Sequence, residues 1–98
     1  MRIVFAEEEL ALIETDQAGA TRLSVSVIKS ARRKLTVLRA AVDDRSLRNW
    51  KSLHYEKLKG DREGQKSIRL NDQFRMVFEL DAETDPQTVT ILSIEDYH

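Results

Sequence analysis

Between residues 22 and 42 apolar side chains return every three, four or seven positions, and after residue 52 they return every second position. In "RLSVSVIKSARRKLTVLRAAV" (22–42), Leu23, Val27, Ala31, Leu35, Leu38 and Val42 form one stripe, as a long helix laid against a core requires. Thr21 stands where an N-cap belongs. Arg22, Lys29 and Arg33 fall on the opposite side, either as a solvated face or as a contact for a polyanion.

Downstream, "SLHYEKLK" (52–59), "QKSIRL" (65–70), "FRMVFEL" (74–80) and "TVTILSI" (88–94) predict strands. The stretches 60–64, 71–73 and 81–87 carry the Gly, Asx and Pro residues that turns use. Upstream, "RIVFA" (2–6) predicts a first strand. "EEELALIETD" (7–16) predicts a short helix whose acidic first turn suits the helix dipole. Together these elements predict an α+β fold, an antiparallel sheet with two helices packed on one face. No repeat or linker interrupts them, so residues 1–98 read as a single domain.

The apolar set of the meander, Leu58, Ile68, Leu70, Phe74, Met76, Phe78 and Leu80, is entirely even-numbered. A sheet with one buried face must bring these residues together, which requires turns of odd length: "GDREG" and "NDQ". That register sets Lys59 opposite Gln65, Lys57 opposite Ser67, Tyr55 opposite Arg69, and Arg69 opposite Arg75. Lys57, Lys59, Arg69 and Arg75 then share the face away from the core. Like charges directly opposite one another cost roughly 0.2–1 kcal/mol. Such a face needs an anion, or neutralisation by Glu79 or Glu95.

Charge gives that gathering its meaning. Sixteen Lys and Arg against seventeen Asp and Glu leave a net charge of −1, and the pI is about 6.1. Bulk charge therefore cannot hold this chain to RNA, and only cations collected on one face could. The absence of cysteine excludes disulfides and thiolate metal sites, and two histidines make a metal centre improbable; no cofactor is expected. No apolar run approaches the ~20 residues of a membrane helix, and "MRIVFAEEEL" has no signal-peptide pattern. A cytoplasmic protein with no membrane partner is expected.

The last strand runs into "EDYH" (95–98), which places Tyr97 and His98 within reach of Arg75. An imidazole with an ordinary pKa near 6.5 can give or take a proton at neutral pH. Beside guanidinium and ammonium groups, it suits acid–base work on a phosphodiester. The alternative is that "DYH" is merely a frayed end.

"LKGDREGQKSIRLNDQFRMVF" (58–78), followed by the terminal "EDYH", resembles the HigB branch of the RelE/ParE superfamily of bacterial toxins. Over residues 1–49 only the strand–helix–helix order agrees. The resemblance implies a β-α-α-β-β-β fold and a ribosome-dependent endoribonuclease that cuts mRNA in the A site. Its partners would be the 70S ribosome, mRNA and a HigA-like helix-turn-helix antitoxin, with operator DNA reached only through the antitoxin complex. It further implies a metal-free reaction in which the ribose 2′-OH attacks the adjacent phosphate. On that pattern Lys59 and Arg75 stabilise the phosphate charge and His98 is the acid or base. Lys57 and Arg69 bind the substrate, while Asp96 and Tyr97 position the codon or the imidazole. Relatives often have a histidine three residues before the "LKG" lysine, where this chain has Glu56, with His54 two places earlier. Two rival readings are a non-catalytic, ParE-like gyrase inhibitor and a degenerate toxin kept as a co-repressor.

Overall fold

The long amphipathic segment forms the centre of the helical layer. In the computed structural model, which describes residues 1–97, this helix (α2) spans Val25–Ala40. Its N-cap is Ser24, whose Oγ accepts a hydrogen bond from Val27 N at 3.3 Å. Thr21, the predicted cap, instead closes a preceding 3₁₀ turn by donating to Ala18 O at 2.7 Å. Arg22 then takes a left-handed conformation that redirects the chain. Val27, Ala31, Leu35 and Leu38 are buried as the stripe predicts, but Val42 is 79% exposed. The helix ends two residues before it, and Ala41 is already extended.

The predicted helix at 7–16 is a single α-turn, Glu8–Ala11 (α1), continued by a 3₁₀ turn over Leu12–Glu14. A third helix, Asp44–Asn49 (α3), has no counterpart among the sequence expectations. Asp43 caps it through Oδ1, accepting from Arg45 N at 3.1 Å and Ser46 N at 3.4 Å. Its one buried residue is Leu47, too little for a helical period to show.

The sheet has five strands: Arg2–Phe5 (β1), Glu56–Lys57 (β2), Gln65–Arg69 (β3), Phe74–Asp81 (β4) and Thr88–Asp96 (β5). That is one more than the order β-α-α-β-β-β provides, the extra being the two-residue β2. The spatial order is β1-β5-β4-β3-β2. β1 runs parallel to β5 and the other pairs are antiparallel. The predicted strand at 52–59 survives only as β2, because Lys51–Leu53 coils into a 3₁₀ turn and His54 is left-handed at φ 47°.

The β3–β4 register is the predicted one, with Ile68 opposite Met76 and Arg69 opposite Arg75. Asn71 Oδ1 holds the short turn by accepting from Gln73 N at 2.8 Å and Phe74 N at 2.7 Å. Ile68, Met76 and Phe78 accordingly meet Leu35 and Leu38 in the core. The β2–β3 register differs by one: Glu56 faces Ser67, and Lys57 faces Lys66. Leu58 N donates to Gln65 O at 2.9 Å, so the loop holds six residues (59–64) rather than five. Gly60 and Gly64, both at positive φ, permit that longer path. A shift of one flips every side chain of a strand. Tyr55 therefore turns away from Arg69 and packs edge-on against Phe78, with ring centroids 6.3 Å apart.

β5 carries a second irregularity. Its pairing with β4 slips between Val77 and Phe78, so that Val77 faces Ser93 while Phe78 faces Ile91. Leu92 is the extra residue of a bulge.

Candidate active site

Arg75 projects from β4 on the face opposite Met76 and Phe78, and yet it is buried. A buried guanidinium needs partners to offset the loss of water. Arg75 Nε donates to Ser67 Oγ at 2.8 Å. Arg75 Nη2 donates to the backbone oxygen of His54. The left-handed turn at His54 is what points that oxygen inward. Glu56 Oε2 lies 3.7 Å from Arg75 Nη2. Tyr97 closes the arrangement, its ring centroid 4.9 Å from Arg75 Cζ. Its backbone N is tied to Gln73 O at 2.5 Å.

Arg69 stands beside Arg75 across the β3–β4 ladder. Its Nε donates to Asn71 O at 3.2 Å and its Nη2 to Asp72. Arg69 Nη1 comes within 3.5 Å of His54 Nε2. An open hollow of about 240 Å³ is lined by His54, Arg69, Asp72, Arg75 and Tyr97, among others. Two guanidinium groups, an imidazole and a phenol thus converge on one concavity. Two cross-strand arginines in one hollow suit an anion with several oxygens, in competition with Asp72 at Arg69 and Glu56 at Arg75.

Neutralisation by Glu95 does not occur. Glu95 faces Arg75 across the β4–β5 ladder, but its carboxylate makes a two-pronged ion pair with Arg62 and accepts from Ser93 Oγ. The hydrogen bond from Arg62 holds the Glu95 carboxyl below the usual carboxylate range, against the upward push of burial. The Arg39 hydrogen bond does the same for Glu14 on the helical side. Glu79 is exposed. Glu56, 3.7 Å from Arg75 Nη2, also accepts from Tyr97 Oη at 3.2 Å.

The predicted cationic face is therefore divided. Arg69, Arg75 and Tyr97 come together, and Asp96 is adjacent, its Oδ2 accepting from Gln73 Nε2 at 3.0 Å. Lys57 and Lys59 do not join them. With Lys57 opposite Lys66, the lysines line a separate hollow of about 530 Å³ around the Gly60–Gly64 loop. His98, the predicted acid or base, lies outside the described residues. His54, Glu56 and Ser67 are the site residues that the alternation did not yield. His54 and Glu56 depend on the register of β2 and on the turn before it, whereas Ser67 stands on β3 on the same face as Arg69. Among the described residues no group of His, Cys, Asp or Glu is placed to hold a metal ion, and no helix is long and apolar enough to cross a membrane.

Residues 4–98 match the family of HigB-like toxins, described as the RelE-like toxin of the type II toxin–antitoxin system HigB. The chain belongs to this family. Solved structures agree on the fold. The YoeB/ParE toxin from Agrobacterium tumefaciens superposes with a TM-score of 0.61 at 16% identity, covering 100% of both chains. The YoeB–YefM complex from Staphylococcus aureus gives 0.57 at 22% identity, covering 100% of this chain and 97% of that one. The toxin–antitoxin complex RelBE2 from Mycobacterium tuberculosis gives 0.52 at 17% identity, covering 98% and 96%. None of the curated proteins matches the sequence. The toxin is thus a type II toxin of RelE-like fold, with Arg75 and Arg69 lining one concavity.

Proposed function

We propose that this toxin is a ribosome-dependent endoribonuclease that cuts mRNA in the A site. A HigA-like helix-turn-helix antitoxin neutralises it and represses the shared operon together with it. The observation that carries this reading is the Arg75 guanidinium, buried, fixed by Ser67 and the His54 backbone, and paired across strands with Arg69. A purely structural arginine does not need a second guanidinium opposite it. A phosphodiester approaching its transition state gains negative charge on the phosphoryl oxygens, and preorganised cations stabilise that charge.

The nucleophile is the substrate's own 2′-hydroxyl. A base removes its proton, the 2′-oxygen bonds to phosphorus, the bond from phosphorus to the 5′-oxygen breaks, and an acid protonates that oxygen. The products are a 2′,3′-cyclic phosphate and a free 5′-hydroxyl. Positioning and proton transfer are all the chain must supply. His98, directly after Tyr97 in the chain, is the acid or base we assign, and the His54 ring lines the hollow that holds Arg69 and Arg75. Tyr97 offers a ring on which a codon base can stack, and Asp96 orients the tail. Lys57 and Lys59, in their separate hollow, bind neighbouring phosphates of mRNA or ribosomal RNA. Two of the fold relatives were solved in complexes with their antitoxins, which supports a partner of that class here.

The test is to induce the toxin without its antitoxin, map the new mRNA ends, and repeat the digestion on naked RNA and on programmed ribosomes. Cuts inside A-site codons that appear only with ribosomes are expected. A DNA supercoiling defect with intact mRNA would overturn the assignment in favour of a gyrase inhibitor. Unimpaired growth would point to a toxin kept only as a co-repressor.

A further inference from the structure

Each arginine of the anion hollow already faces a carboxylate from its own chain, and the two carboxylates are held differently. Arg69 Nη2 donates to Asp72 in the short turn after β3, and Glu56 Oε2 lies 3.7 Å from Arg75 Nη2. Glu56 is fixed from a second side by the Tyr97 hydroxyl. Asp72 is not. Its side chain is 95% exposed and, among the described residues, pairs with Arg69 alone.

Neither Arg69 nor the turn needs the Asp72 carboxylate. Arg69 Nε donates to Asn71 O at 3.2 Å, which anchors the guanidinium by a different edge. Arg69 Nη1 also stands 3.5 Å from His54 Nε2. The turn is closed by Asn71 Oδ1, which accepts from Gln73 N and Phe74 N, and by Leu70 N, which donates to Phe74 O at 2.9 Å. An exposed ion pair shifts an equilibrium by only up to about fivefold. Asp72 therefore occupies a donor that a phosphate oxygen would use, and it can swing into water without disturbing the strand or the turn.

We propose that Asp72 is a built-in competitor for the phosphate: it occupies Arg69 in the free toxin and leaves when a phosphodiester enters the hollow. The proposal rests on the reading of that hollow as the phosphate site. Its consequence is a threshold for binding. A lone phosphate has only this hollow to hold it and must displace Asp72 with no other contact to offset the loss. A polynucleotide that also reaches the lysines around the Gly60–Gly64 loop has such contacts and still binds. Small phosphates are thereby kept from occupying the site that RNA must enter.

The test titrates inorganic phosphate into isotope-labelled toxin and follows the Arg69 Nε–H signal by NMR. Asp72→Asn keeps the size and polarity of the side chain and removes its charge, so it should bind phosphate about 3–10-fold more tightly than wild type. Asp72→Glu, which keeps the charge, should bind it no more tightly than wild type. Phosphate should also inhibit cleavage on programmed ribosomes at a correspondingly lower concentration in Asp72→Asn. Unchanged or weaker phosphate binding in Asp72→Asn would overturn the proposal, since Asp72 would then serve only to hold Arg69 or its turn. So would equal tightening in Asp72→Glu, where the charge is retained. Tighter phosphate binding in an Asp72→Asn toxin that cuts no mRNA on ribosomes would uphold the competitor and count against the function alone.

Discussion

The Tyr97 ring stands 4.9 Å from the Arg75 guanidinium carbon, and its hydroxyl donates to Glu56 at 3.2 Å. Glu56 in turn lies 3.7 Å from Arg75 Nη2. One aromatic residue thus covers the buried cation and holds the Glu56 carboxylate beside it. On the proposed function, RNA reaches Arg75 only if the ring yields its place to a base or stacks against one.

Tyr97→Phe keeps the ring and loses only the hydroxyl, so cleavage should remain within a few-fold of wild type. Tyr97→Ala removes the stacking surface, worth ~1–3 kcal/mol per base, and should lower kcat/KM by about 10–100-fold. Arg75→Ala should lower the cleavage rate by ~10²–10³-fold, the usual value of one charge-stabilising group. Arg75→Lys should not restore it, since an ammonium cannot reach Ser67 Oγ and the His54 carbonyl with the same planar fork. Single-turnover cleavage of ribosome-bound mRNA measures all four variants.

His98→Gln should retain the fold, read by circular dichroism, and retain ribosome binding. Its cleavage rate should fall by ~10²–10⁴-fold, the range for a lost general acid or base. A wild-type rate would make the terminal residues a mere end of the chain.

Lys57→Gln and Lys59→Gln separate binding from chemistry. Their hollow is distinct from the one beneath Tyr97, so both should raise KM for programmed ribosomes more than they lower kcat. Each should also flatten the salt dependence of binding, its slope falling by about one for every phosphate left without its cation. A fall in kcat alone at Lys59 would return that lysine to the reacting phosphate.

The long helix α2 was legible because its period runs for four turns, and Leu35 and Leu38 are as buried as that period requires. The pairing of Arg69 with Arg75 was legible too, because the three-residue turn before Phe74 leaves the alternation only one phase. The β2–β3 loop gave no such guarantee. Two glycines free to take positive φ make loops of five and six residues equally reachable, and the sixth residue put Glu56 where Lys57 was expected. His54 escaped notice for a related reason. Its part at the site comes from a left-handed turn and a backbone oxygen, neither of which a side-chain pattern encodes.

Core truncation should be costly. Phe78 and Leu35 are fully buried at the helix–sheet contact, and Phe78→Ala or Leu35→Ala should destabilise by about 2–5 kcal/mol, measured by urea unfolding.

Tyr55 should make stability fall at alkaline pH. Burial, followed by the nearby Asp44 charge, pushes its phenol up to about 12. The folded value lies above the ordinary value of 10.0, so the contribution is complete below pH 10 and is lost as pH rises towards 12. The Tyr55 hydroxyl is buried without a hydrogen-bond partner among the described residues. Tyr55→Phe should therefore be neutral or stabilising by about 1 kcal/mol at pH 7, and should remove this part of the alkaline decline. Thermal unfolding between pH 7 and 11 tests both statements.

The extra residue at Leu92 separates two demands placed on one strand. Before it, Val89 and Ile91 point into the core; after it, Ile94 does so, while Ser93 and Glu95 turn to the Arg75 face and Tyr97 follows them. Without that slip, the odd positions that fill the core in the first half would continue inward, carrying Glu95 and Tyr97 with them. The strand behaves like a gear with one added tooth: everything downstream is turned by half a cycle, and nothing upstream feels it. Losing or gaining one residue between Ile91 and Glu95 would therefore turn Ile94 out of the core and Glu95 away from the Arg75 face.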